Sequence, residues 1–110
     1  MHTVVETRTF TASAKAERLT GEEVSVITDI VAADPLAGDL IIGSGGCRKV
    51  RIAGRGRGKS GGYRVVTGFG RGPFVFLVAV LSKGTRGAFS AAEVNAMSKS
   101  VVGFKQYGQG

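Results

Sequence analysis

The chain has 110 residues, 15 Lys+Arg against 8 Asp+Glu for a formal net charge of +7, and 43% apolar content, which fits one globular domain and excludes two domains or a disordered chain. A lone cysteine, Cys47, and a lone histidine, His2 near the chain end, exclude an internal disulfide, a Cys/His zinc set and histidine-based catalysis. No apolar stretch approaches the roughly 20 residues of a membrane helix, and Glu6 and Arg8 interrupt the N-terminal order of a signal peptide, so a cytoplasmic protein is expected.

Thr3-Val4-Val5-Glu6-Thr7 reads as a short strand from its β-branched content. An Ala-rich helix is expected across 10–18. The order Thr20-Gly21-Glu22-Glu23 is a capping box, a hydroxyl with a carboxylate three residues on, and it opens a second helix whose apolar face is Val24, Ile27 and Val31. Pro35 terminates that helix after Asp34.

Gly43-Ser44-Gly45-Gly46 is a loop, and Cys47 to Ala53 alternates as a strand that turns Val50 and Ile52 to the core and Lys49 and Arg51 away from it. A glycine-rich connection over 54–62 leads to a strand from Tyr63 to Phe69, in which period two sets Tyr63, Val65 and Phe69 together and Arg64 opposite. Gly70-Arg71-Gly72-Pro73 turns the chain into Phe74 to Leu81, an unbroken apolar run suited to a strand covered on both faces. A second capping box, Ser90-Ala91-Ala92-Glu93, starts a last helix with Val94, Met97, Val101 and Phe104 on one stripe. The expected fold is α+β: a small antiparallel-rich sheet packed by helices, in the order β-α-α-β-β-β-α over a single domain.

Charge divides along this order. Residues 1–39 hold seven acids and three bases, whereas residues 40–92 hold ten bases and no acid. Ten like charges without an interleaved acid repel one another in the folded state, and such a segment usually faces a polyanion. Nucleic acid fits better than a membrane surface, because the bases fall on strands and glycine-rich segments and not on one amphipathic helix.

Ala53-Gly54-Arg55-Gly56-Arg57-Gly58-Lys59-Ser60 approximates a phosphate-binding loop. That motif works only when a helix follows and points its N-terminal amides at the phosphates. Here a strand follows, and 40–92 offers no carboxylate for magnesium. A basic hairpin loop lying along a phosphate backbone is the better reading. With histidine excluded, catalysis has to run on Lys, Arg, Ser, Tyr or carboxylates.

Taken together, Gly43-Ser44-Gly45-Gly46-Cys47-Arg48-Lys49-Val50-Arg51, Gly58-Lys59-Ser60-Gly61-Gly62-Tyr63-Arg64-Val65, the run from Phe76-Leu77 to Lys83, and Ser90-Ala91-Ala92-Glu93 resemble the RelE/HigB-type toxins of bacterial toxin–antitoxin pairs. The resemblance implies a cofactor-free, metal-independent endoribonuclease that cleaves messenger RNA, often in the ribosomal decoding site. It also implies a cognate antitoxin, expected to be of helix-turn-helix type, with operator DNA reached only through that antitoxin. Attack of a ribose 2′-hydroxyl on the adjacent phosphate needs alignment, stabilisation of phosphoryl charge and proton movement, which Arg and Lys can supply.

By the same resemblance the catalytic residues are Lys49, Arg51 and Arg64, with Lys83 after them. Arg64 would stabilise the transition-state phosphate, and Lys49 or Arg51 would move protons and orient the backbone. Arg48, Arg55, Arg57, Lys59 and Arg86 are the expected RNA contacts. Thr67-Gly68 stands where family members often carry tyrosines, Phe89 lacks a hydroxyl, and Tyr107 is the only late tyrosine. The competing reading is a ParE-like toxin acting on DNA gyrase, or a nucleic-acid-binding module that keeps the fold without the chemistry.

Overall fold

A hydroxyl side chain starts each of the three helices found in the computed structural model of this chain, which describes residues 2–53, 62–82 and 89–107. Thr7 accepts from the Phe10 amide to open α1 (Arg8–Ala16), and Thr20 and Ser90 each form a reciprocal capping box, with Glu23 for α2 (Gly21–Ala33) and with Glu93 for α3 (Ala91–Gln106). No helix among the described residues is long and apolar enough to cross a membrane.

The first helix lies two residues earlier than its composition predicts, at both ends. Thr7 is the cap at the start. At the end, Arg18 takes a left-handed conformation with φ 58°, its amide bonds to the Lys15 carbonyl and the Leu19 amide to the Ala14 carbonyl. This is the double closure of a Schellman motif, with Arg18 in the position glycine usually fills. A nine-residue helix is too short to persist alone. What holds it is Phe10, fully buried, a burial that contributes roughly 1.5–3 kcal/mol.

Five strands form one sheet in the order β1-β5-β4-β3-β2: β1 (Thr3–Glu6), β2 (Asp39–Leu40), β3 (Arg48–Ile52), β4 (Tyr63–Phe69) and β5 (Phe74–Ser82). β1 pairs with β5 in parallel, and every other pairing is antiparallel. The two-residue strand β2 adds an element to the expected order. It is too short to show alternation, and the turn behind it is built by Ser44, whose hydroxyl donates to the Ile41 carbonyl at 2.6 Å and accepts from the Cys47 amide at 2.9 Å.

Both faces of the sheet are covered. On one, α1 and α2 bring Phe10, Ala14, Ile27 and Val31 onto Val50, Ile52, Tyr63, Val65, Val75, Leu77 and Val80. On the other, α3 lays Met97, Val101 and Phe104 over Ile41, Cys47, Val66, Phe76 and Val78, and the Phe76 and Phe104 rings stack at 4.2 Å. The apolar run of β5 therefore serves two cores, as its unbroken composition suggests.

Between Val66 and Thr67 the β4–β5 register slips: Val66 opposes Ala79 and Thr67 opposes Leu77, so Val78 bulges without a partner. β1 leaves β5 at the same level, its last pair being Glu6 with Leu77. Hydroxyls of the β1–α1 segment take over that edge. Thr7 donates to the Leu77 carbonyl at 2.8 Å, Thr9 to the Val78 carbonyl at 2.6 Å, and Ser13 accepts from the Val80 amide at 3.0 Å. Backbone groups that an edge strand would present to solvent are thereby satisfied.

Candidate active site

Alternation along β3 and β4 sends Val50, Ile52, Tyr63 and Val65 into the α1/α2 core, and so Lys49, Arg51 and Arg64 to the opposite face. α3 covers that face only in part. It lies tightly over Gly68 and Gly70, where an added Cβ would, respectively, stand 2.7 Å from the Phe104 ring and collide with the Phe104 carbonyl, and its apolar contacts on β4 begin at Val66. Cations thus occupy the part of the face that α3 leaves open.

A groove of about 440 Å³ opens at this edge of the sheet, lined by residues Ala37, Gly38 and Asp39 together with Lys49, Val50, Arg51 and Arg64. Arg51 is directly opposite Arg64 in register, and Lys49 is opposite Val66, so Lys49 and Arg64 are diagonal neighbours. Directly opposed residues of an antiparallel pair have Cβ atoms about 4.5–5.5 Å apart, and like charges so placed destabilise the sheet. An anion bridging them removes that cost, and two guanidinium groups offer the planar forks that fit phosphate oxygens.

Asp39 was not singled out by the sequence. It pairs with Lys49 across β2 and β3, which puts a carboxylate on the cationic face. Counting charge along the chain hid it, because residue 39 is the last acid before the acid-free stretch and only the β2–β3 pairing folds it back onto the bases. Its place is fixed from behind. Gly38, at φ +92°, approaches the β3 backbone so closely that a Cβ would collide with the Lys49 carbonyl and stand 2.9 Å from the Val50 side chain. The Arg48 guanidinium donates to the Gly38 carbonyl at 3.0 Å.

Arg48 is therefore separated from the other predicted bases. It shares the parity of Val50 and Ile52, and its head group braces the backbone beside the groove. Arg55, Arg57, Lys59, Lys83 and Arg86 lie outside the described residues. The two tyrosines are engaged elsewhere: the Tyr63 hydroxyl donates to Glu23 Oε2 at 2.8 Å on the α2 side, and Tyr107 sets its ring edge-on to Phe74 and Phe76, at 5.0 and 5.3 Å. Phe76 opposes Gly68 whereas Arg64 opposes Leu81, so Tyr107 sits towards the other end of the sheet. Cys47, beneath α3, has its thiol pKa pushed up by burial, against a smaller lowering from its hydrogen bond with Ser44.

Among the described residues no three His, Cys, Asp or Glu side chains gather closely enough to hold a metal ion. The described residues of the groove bring together three cationic side chains and one carboxylate. In the comparison with protein families, the model describing the RelE toxin of the RelE/RelB toxin–antitoxin system matches residues 2–108. That span runs from β1 through α3 and includes every strand that builds the groove. The family implies a RelB-type antitoxin as partner. Matched over nearly its whole length, the chain belongs to the RelE toxin family.

Proposed function

We propose that this toxin is an endoribonuclease that cleaves messenger RNA on translating ribosomes through the face bearing Lys49, Arg51 and Arg64, and that a RelB-type antitoxin neutralises it. The observation that carries the reading is the register of β3 on β4, which opposes Arg51 to Arg64 with Lys49 on the diagonal. A phosphodiester seated there meets two guanidinium groups. Arg64 stabilises the charge that grows on the phosphoryl oxygens as the ribose 2′-oxygen attacks, Arg51 orients the backbone, and Lys49 takes part in proton transfer. Arg55, Arg57, Lys59, Lys83 and Arg86 supply further contacts to RNA. No metal is needed, since the cations of the sheet perform the electrostatic work.

Primer extension on transcripts after induction tests the proposal. New 5′ ends within translated messages are expected with the wild type, and Arg64→Ala should reduce cleavage by about 10²- to 10³-fold, the usual cost of losing one transition-state donor. Growth arrest with intact transcripts and altered DNA supercoiling would overturn it in favour of a ParE-like action on gyrase.

A further inference from the structure

We propose that Asp39 is the general base of the cleavage reaction, working as a proton-exchanging pair with Lys49. Asp39 has this role only if the groove cleaves RNA, as proposed above. Of the described residues that line the groove, Lys49, Arg51 and Arg64 bring side chains that are hydrogen-bond donors when charged, and Ala37, Gly38 and Val50 bring no titratable group. Among the described residues of the groove, the carboxylate of Asp39 is the one side chain that is a proton acceptor in its charged form. Its presence also runs against simple anion binding, because a negative charge in a phosphate groove weakens affinity by repulsion. A chemical role accounts for that cost.

The step balances with these two residues. Asp39 takes the proton of the ribose 2′-hydroxyl as the 2′-oxygen forms its bond to phosphorus. The bond from phosphorus to the 5′-oxygen breaks, and the Lys49 ammonium gives its proton to that oxygen. The products are a 2′,3′-cyclic phosphate and a 5′-hydroxyl, with Asp39 protonated and Lys49 neutral. The two residues are partners in the β2–β3 register, and a proton carried from the Asp39 carboxyl to the Lys49 amine by solvent water restores the starting state. The positions are set in advance by the backbone: Gly38 permits the close approach to β3, and Arg48 holds the Gly38 carbonyl.

Single-turnover cleavage of messenger RNA on programmed ribosomes, followed against pH for the wild type, Asp39→Asn and Asp39→Glu, tests the assignment. Asp39→Asn should slow cleavage by roughly 10²- to 10⁴-fold, the range for losing a general base, and should abolish the fall in rate at acid pH that a carboxylate base produces. Its affinity for an uncleavable message carrying a 2′-deoxy substitution at the cut site should equal or exceed that of the wild type, and its thermal midpoint should be retained. Asp39→Glu should restore part of the rate together with the acid limb. If the wild type cleaves and Asp39→Asn stays within about threefold of it with the acid limb intact, Asp39 is not the base and the ribonuclease reading stands. Loss of rate in parallel with RNA affinity and thermal midpoint would reduce Asp39 to a structural residue. Absence of cleavage by the wild type would overturn both proposals.

Discussion

Cys47 carries a thiol sealed between β3 and α3, and burial raises its pKa above the value of 9.0 that an exposed thiol has. As pH rises the unfolded chain loses this proton before the folded one does. The stability tied to the neutral thiol is therefore complete below about pH 9 and is lost as pH climbs through the folded value. Urea denaturation between neutral pH and pH 10 should show the free energy of unfolding dropping more steeply for the wild type than for Cys47→Ala, even though the variant starts lower because of the cavity it creates. The same seal should keep Cys47 unreactive towards thiol reagents until the protein unfolds. Asp39 and Arg48 make the opposite point about single residues. The surroundings of each depend on strand pairing, which no local pattern displays: the Arg48 guanidinium reaches the Gly38 carbonyl, and Asp39 stands opposite Lys49 in register.

Among elements, the edge of β5 beyond β1 is the most demanding piece of construction, since three hydroxyls of the β1–α1 segment replace a neighbouring strand. Ser13→Ala leaves the Val80 amide without its acceptor, and the variant should lose about 1–2 kcal/mol in urea denaturation, the cost of an orphaned buried donor. None of this edge is visible in the sequence, where Thr7, Thr9 and Ser13 look like ordinary polar positions. By contrast α2 and α3 were legible at their starts, because a capping box is a local pattern that closes within four residues. β3 and β4 were legible through alternation, and with them the sharing of one face by Lys49, Arg51 and Arg64. α1 slid by two residues because Ala content marks a helix interior but not its ends. β2 escaped notice because two residues contain no period.

At the scale of the whole molecule, three of the fifteen bases, Lys49, Arg51 and Arg64, gather on the uncovered part of one sheet face. Such a face is stabilised by whatever neutralises it. A 2′-O-methyl RNA oligonucleotide, which binds without being cut, should raise the melting temperature at low salt, and the gain should vanish near 1 M salt, where the screening length falls to about 3 Å. Thermal scans over a salt series provide the measurement. The parallel seating of β1 against β5 has a separate consequence, which lies in the order of assembly. The β3–β4 and β4–β5 pairings join segments adjacent in the chain, whereas Thr7 finds its acceptor on Leu77, 70 residues away. Closing so long a loop is slow relative to zipping neighbouring strands. Thr3–Glu6, synthesised before the other four strands of this sheet, must therefore wait for Phe74–Leu77 before it can pair, while the strands that carry Asp39, Lys49, Arg51 and Arg64 can come together without it.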